Sequence, residues 1–228
     1  MTRFLASVPG YVYAKQGDRI YVNLFVGSSA DIKLASGRKV RLVQETRYPW
    51  DGDVRLTVDP GRTGRFALNV RIPGWARGEA APGDLYRFAD HVDAPVTLRV
   101  NGKPVALKLD RGYAALDRVW KRGDTIRLTL PMPVRRIAAN DAVAADRGRI
   151  ALQRGPLVYC AEWPDNPDGH VRNLMLADTE KLTAQFKPGL LHGVEVIEGR
   201  AAGLTRDGKG GVVRAEQPFT AIPYYAWA

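Results

Sequence analysis

Strict alternation of apolar and polar residues is the feature of this 228-residue chain that most constrains its fold. Within residues 112–134, Ile126, Leu128 and Leu130 alternate with polar residues, and a period of two places such side chains on one face of a strand. The polar sequence of residues 121–124 contains a glycine and is typical of a turn. The segment therefore predicts a strand, a turn and a second strand.

The dipeptide Asn101-Gly102 predicts a second turn of the same kind. It lies between the alternating runs 96–100 and 105–109. Both residues tolerate the positive φ of a type I′ turn, so Asn-Gly between alternating runs is a strong hairpin signal. Further alternating runs near residues 20–25, 40–42, 54–58 and 66–72 are separated by glycine- and proline-containing turns. Strands and turns at intervals of about 8–12 residues are typical of β-sandwiches.

The predicted fold is all-β, with two packed antiparallel β-sandwich domains of jelly-roll or immunoglobulin-like type. Residues 77–94 contain glycines, a proline and scattered acids without a sustained period, so they are the best candidate for a domain boundary. Residues 1–14 predict a short remnant helix, residues 15–90 the first sandwich and residues 91–228 the second. The aromatic final stretch 219–228 needs a packing partner, and we expect its strand to return to the first sandwich.

Composition excludes several classes of function. The net charge of +10 comes largely from arginines on the outward phase of strands, mixed with acids. They form no basic run of the kind that nucleic-acid binding requires, so a solvated basic surface is favoured over a nucleic-acid site. No run of about 18 apolar residues is present, which argues against a membrane span. No signal peptide is recognisable, and the compartment stays unassigned.

Asp51 and Asp53, beside Trp50, form the one place where carboxylates and an exposed-looking aromatic residue meet in the sequence. The ring could stack on a sugar while Asp51 accepts its hydroxyls. The purely structural interpretation, which we favour, is that the aspartate stabilises a turn and the tryptophan packs across the end of a sandwich. Trp75 and Trp120 lie at strand ends and carry the same ambiguity, so these five residues are the candidate carbohydrate contacts.

Other routes to chemistry are weaker. Cys160 follows an apolar strand phase, which favours a packed thiol over a nucleophile. His91, His170 and His192 lack the spacing of a zinc site, so no metal ligands are predicted. Catalysis from Asp51, Asp53 or Glu162 would require two carboxylates about 5–10 Å apart across a cleft.

Eight stretches of this chain, taken together and in order, resemble glycoside hydrolase family 127, the β-L-arabinofuranosidase-like family. The resemblance covers nearly the whole chain apart from about residues 170–215. The stretches are TRFLASVPGYVYA (2–14), IYVNLFVGSSA (20–30), VQETRYPWDGDVRLTV (43–58), FALNVRIPGWA (66–76), VTLRVNGKPV (96–105), GYAALDRVWKRGDTIRLTLPMPVRRI (112–137), GRIALQRGPLVYCAE (148–162) and AIPYYAWA (221–228).

The resemblance implies a larger parent protein in which an (α/α)₆ barrel precedes the β-sandwich domains. It places the family's catalytic glutamate, and the cysteine cluster that holds zinc and supplies a thiolate, upstream of residues 2–7. No catalytic residue and no cofactor is therefore expected in this chain, and Cys160 does not match the cluster. We expect a truncated, non-catalytic portion that braces the barrel and contacts carbohydrate.

Two alternatives remain open at this stage. One is a stand-alone carbohydrate-binding module that uses Trp50, Trp75 or Trp120, and the other is a glycosidase with its own carboxylate site. Without a barrel, the surface that faces it would be apolar, and self-association would relieve that exposure. The expected partners are thus carbohydrate, a catalytic barrel or a second copy, with no nucleic acid and no membrane.

Overall fold

The computed structural model describes residues 2–166 and 171–227, and strands dominate this part of the chain. His170 lies outside the described residues. The helices are α1 (Thr2–Ser7) and α2 (Pro9–Val12), and the strands are β1 (Tyr13–Gln16), β2 (Arg19–Val22), β3 (Ser28–Lys33), β4 (Lys39–Thr46), β5 (Asp53–Asp59), β6 (Gly64–Arg71), β7 (Tyr86–Phe88), β8 (Thr97–Val100), β9 (Lys103–Pro104), β10 (Leu109–Asp110), β11 (Tyr113–Trp120), β12 (Asp124–Thr129), β13 (Val134–Ala139), β14 (Ile150–Arg154), β15 (Leu157–Cys160), β16 (Leu174–Met175), β17 (Thr183–Lys187), β18 (Val194–Arg206) and β19 (Val212–Pro223). The all-β prediction is confirmed. Neither described helix has the length and apolar character needed to cross a membrane.

The chain divides into two compact units whose boundaries differ from those predicted. Unit 1 contains residues 1–82 and 92–132, and unit 2 contains residues 83–91 and 133–228. The predicted boundary at residues 90/91 is wrong because β8 and β12 pair with strands of unit 1, whereas the short strand β7 pairs with β13 of unit 2. The turn-rich stretch 77–94 indicated a loop, but it could not indicate that the chain crosses between the units twice within this stretch.

Unit 1 contains two sheets. The five-stranded sheet has the order β1-β2-β6-β11-β10, and the six-stranded sheet has the order β3-β4-β5-β12-β8-β9. Neighbouring strands are antiparallel except β2 and β6, which run parallel. The inward positions of both sheets form one hydrophobic cluster that includes Ile20, Leu56, Leu68, Trp120 and Ile126, all with no exposed surface.

The two predicted turns of unit 1 have different outcomes. Asn101 and Gly102 adopt φ values of 50° and 77° and connect the antiparallel pair β8–β9, so this hairpin is confirmed. The segment 112–134 does contain two strands, but β11 pairs with β6 and β12 pairs with β5 and β8. Residues 121–123 therefore carry the chain from one sheet to the other, so the predicted turn is present but its two strands do not pair as a hairpin.

Unit 2 is built on one eight-stranded sheet. Its order is β16-β18-β19-β15-β14-β13-β7, and β17 also pairs with β18. The longest element is the hairpin β18–β19, in which Ile197 to Arg206 pair with Ala221 to Val212. Side chains from β14, β15, β18 and β19 form one small cluster, and side chains from β18 and β19 form a second that is smaller still, so the curled sheet supplies its own core. The last strand pairs with β15 and β18, so the expected return of residues 219–228 to the first sandwich is wrong.

Candidate functional site

An open depression of about 1010 Å³ lies on the outer face of the six-stranded sheet in unit 1. Along β5, Val54, Leu56 and Val58 point into the core, so Asp53 and Arg55 must point outward. The same alternation brings outward side chains of β4, β8 and β12 to this face. We call this cavity the sheet depression. Its lining residues are Glu45, Thr46, Arg47, Asp51, Asp53, Val54, Arg55, Arg99, Gly102, Thr125 and Arg127.

Asp51 is fixed by its neighbours in the loop before β5. One carboxylate oxygen accepts hydrogen bonds from Arg47, with Nε and Nη2 each at 2.7 Å. The other accepts from the backbone N–H of Asp53 at 3.2 Å. The turn interpretation of this aspartate therefore agrees with the geometry, and its carboxylate also lines the sheet depression.

Asp53 is held by side chains of β12. Arg127 Nη2 donates to one carboxylate oxygen at 2.8 Å, and the Thr129 hydroxyl donates to the other at 2.9 Å. The Arg127 hydrogen bond holds the pKa of Asp53 below the ordinary value of 3.8. A general acid needs the opposite shift, because it must carry a proton near neutral pH. Asp53 is therefore unsuited to be the acid of a glycosidase.

The three candidate tryptophans do not form an exposed row. Trp120 has no exposed surface, and its Nε1 donates to the backbone oxygen of Phe66 at 3.0 Å. Its predicted contact with carbohydrate is wrong because the ring belongs to the core of unit 1. Trp75 is half-buried and packs against the same core, whereas Trp50 is 45% exposed but does not line the sheet depression.

Cys160 and Glu162 share a second open pocket, of about 450 Å³, in unit 2. The aromatic residues Trp163, Tyr224 and Trp227 line it with them. Burial, followed by the nearby carboxylates, raises the pKa of the Cys160 thiol, so this side chain is not a thiolate at neutral pH. Burial, together with the charge of Asp165, raises the pKa of Glu162. Within the described residues, Glu162 is the only carboxylate that lines this pocket.

No metal-binding cluster appears in the described ranges 2–166 and 171–227, where no three His, Cys, Asp or Glu side chains come together. Two features of the surface were not predicted from the sequence. The outward arginines were recognised one by one, but their alignment across strands was not. The aromatic pocket of unit 2 combines Trp163 with the terminal Tyr-Tyr-Ala-Trp stretch, and only that stretch stood out in the sequence.

Comparison with protein families accounts for both units. The family model described as "Beta-L-arabinofuranosidase, GH127 middle domain" matches residues 19–132, and the model described as "Glycoside hydrolase family 127 C-terminal domain" matches residues 134–228. The chain belongs to glycoside hydrolase family 127. Only residue 133 separates the two matches, and unit 1 ends at residue 132, just before the long segment of unit 2 begins. The chain thus comprises non-catalytic domains of the family.

Relatives of family 127 are considerably longer than this chain. It is 36% identical over 247 residues to the non-reducing end β-L-arabinofuranosidase of Bifidobacterium longum subsp. longum, covering all of this chain and 34% of that protein. A solved GH127 β-arabinofuranosidase is 43% identical with a TM-score of 0.93, over 99% of this chain and 35% of that one. A GH127 β-L-arabinofuranosidase from Geobacillus stearothermophilus T6 is 40% identical with a TM-score of 0.86, and the match covers 99% of this chain and 34% of that one. The chain spans about a third of the length of these relatives.

Proposed function

We propose that this chain is the supporting β-sandwich portion of a β-L-arabinofuranosidase-type glycosidase, where it braces a helical catalytic barrel and contacts carbohydrate. The observation that carries the proposal is the pair of family matches. They cover the middle and C-terminal domains in order, and the relatives named as arabinofuranosidases contain about twice as much additional sequence.

Large exposed apolar side chains support the bracing role. In unit 2, Trp163, Tyr224, Tyr225 and Trp227 are 54–60% exposed. In unit 1, Phe4, Leu5 and Tyr11 of α1 and α2 are 59–65% exposed. Grouped apolar surface of this kind marks interaction sites in folded proteins, since water disfavours its exposure.

The state of the carboxylates supports contact with carbohydrate over hydrolysis by this chain. Asp51 and Asp53 are each engaged by an arginine, and the pKa of Asp53 is lowered. Such groups serve well as fixed hydrogen-bond acceptors for sugar hydroxyls but poorly as proton donors. The stand-alone module alternative offered Trp50, Trp75 or Trp120 as its contact with carbohydrate, and the burial of Trp120 removes one of the three.

The first experiment is hydrolysis of p-nitrophenyl glycosides by the purified chain, β-L-arabinofuranoside included, with and without zinc and thiol reductant. We expect no turnover. Turnover that survives Cys160→Ala and disappears in Asp51→Asn would contradict the proposal, because the sheet depression would then be an active site.

The bracing role requires a second experiment. This chain would replace the matching third of the Bifidobacterium longum relative, and hydrolysis by the chimera would be compared with that of the relative lacking this third. We expect the chimera to be active and Trp227→Ala to lower its activity and melting temperature. Phe186→Ala is the matched control, because Phe186 is 58% exposed in unit 2 but lies on β17, away from the pocket. A folded but inactive chimera, or equal effects of both substitutions, would count against bracing by this surface.

A further inference from the structure

We infer that the sheet depression binds a carboxylate-bearing polysaccharide through a row of three arginines on adjacent strands. The inference rests on the proposed contact with carbohydrate and names the class of sugar polymer. The arginine row consists of Arg55 on β5, Arg127 on β12 and Arg99 on β8.

The register of the strands places these arginines side by side. Arg55 lies directly opposite Arg127, and Arg127 lies directly opposite Arg99. Neighbouring strands are about 4.8 Å apart, so the three Cα atoms lie within roughly 10 Å across the sheet. Like charges directly opposite one another destabilise a sheet. An anionic ligand would convert this repulsion into attraction.

The charges of the arginine row are neutralised unevenly. Arg127 is paired with Asp53 at 2.8 Å, and Arg55 approaches Glu45 at 3.7 Å with both side chains more than 60% exposed. Arg99 instead donates to the backbone oxygen of Gly102 at 3.1 Å. Four arginines line the depression against three carboxylates, so one positive charge is in excess. Its place is the Arg99 end of the row, where a ligand carboxylate could form a bidentate pair with the guanidinium.

The composition of the lining favours an acidic sugar polymer over other anions. Glu45, Asp51 and Asp53 would repel nucleic acid, with about one charge per 1.7 Å of duplex, more strongly than a polymer that carries one charge on each sugar ring. A uronic-acid polymer has one carboxylate on each ring, and its remaining groups are hydroxyls. Those hydroxyls could bond with the three carboxylates and with Thr125, while the ring carboxylates meet arginine. The depression extends over four strands and is large and open enough for several sugar rings.

The test is calorimetric binding of hexagalacturonate to the purified chain, with its fully methyl-esterified form as the uncharged ligand. The double variant Arg55→Gln/Arg99→Gln removes two arginines of the row. The control Arg65→Gln/Arg214→Gln removes the same charge from exposed strand positions outside the depression, where Arg65 approaches Asp117 and Arg214 approaches Glu216. We expect the row variant to bind hexagalacturonate at least tenfold more weakly, the control to change affinity less than twofold, and the esterified ligand to bind weakly to every form.

Three results would overturn the inference. Equal losses in the two variants would mean general attraction to a basic protein. Equal affinity for hexagalacturonate and its esterified form would mean that the protein does not recognise the carboxylate. If a sulfated polymer such as heparin bound more tightly, with the same dependence on the arginine row, the depression would be a site for sulfate and not for carboxylate. The proposed function is tested separately. Its measurements are the binding of neutral arabino-oligosaccharides and the activity of the chimera, and neither depends on Arg99.

Discussion

The two units are stabilised in different ways. In unit 1, 21 buried hydrophobic residues from both sheets form one continuous cluster, and most of the ion pairs join well-exposed side chains, such as Arg65–Asp117 at 68% and 58%. In the described part of unit 2, the buried hydrophobic residues form clusters of six and three. Its pairs Arg135–Asp90 and Arg154–Glu195 are only 14–21% exposed. A curled single sheet encloses less apolar volume than two facing sheets, so polar contacts carry more of the structure in unit 2.

The most severe test of this difference is Trp120→Ala in unit 1 against Phe219→Ala in unit 2. Trp120 has no exposed surface and lies in the large cluster, whereas Phe219 is 7% exposed in the small one. Cavity formation should cost about 5 kcal/mol for Trp120→Ala and about 3 kcal/mol for Phe219→Ala. Denaturant unfolding, combined with hydrogen exchange to locate each loss in its unit, measures both. Equal costs would argue that the two cores are equivalent.

Gly52→Ala should break the close approach of the chain in unit 1. A Cβ on Gly52 would collide with the backbone oxygen of Leu130, so the loop before β5 would have to move. Overpacking against backbone should cost about 3 kcal/mol and disturb Asp51 and Asp53 in the sheet depression. Gly189→Ala in unit 2 is the control, since nothing lies within 4 Å of its Cβ position. A stability change of similar size in both variants would contradict the close-packing argument.

The polar contribution to unit 2 is tested by Asp90→Ala against Asp117→Ala in unit 1. Asp90 accepts from Arg135 Nε at 2.7 Å and from the backbone N–H of Arg136 at 3.2 Å. Its loss should cost about 2 kcal/mol, below the value for a fully buried pair because some water reaches it. Loss of the exposed pair Arg65–Asp117 should cost about 0.5 kcal/mol or less. The same unfolding measurement decides, and the reverse order would refute the comparison.

The smallest predicted effect concerns alkaline pH. Burial raises the pKa of Tyr159 in unit 2 from 10.0 to about 12. The folded chain therefore keeps this proton to higher pH than the unfolded chain, so unit 2 should lose stability as pH rises from 10 to 12. Tyr159→Phe should make this loss shallower while leaving stability at pH 7 nearly unchanged. Unfolding as a function of pH, with ultraviolet titration of tyrosine, measures it, and an unchanged slope in the variant would exclude Tyr159 as the source.

The sequence predicted the candidate site in part. Asp51 and Asp53 could be selected because they lie beside Trp50 in a recognisable turn, and both line the sheet depression. Trp120 could not be assigned correctly, since a tryptophan at a strand end satisfies the same pattern whether it is buried or exposed. The arginine row could not be predicted from the sequence, for another reason. The positions 55, 99 and 127 become neighbours only through strand pairing.

In unit 1 the sequence by itself determined the strands β2, β4, β5, β6, β8 and β12, the side of each that is buried, and the Asn101-Gly102 turn. These properties depend on residues within a few positions of one another, because alternation and turn chemistry are local. Only the tertiary structure decided that β11 and β12 belong to different sheets, that residues 92–132 remain in unit 1, and that the last strand pairs within unit 2. The physical reason is that a period of two specifies a buried face but not the strand that will lie beside it. That neighbour is selected when the apolar faces of both sheets are buried together in one core.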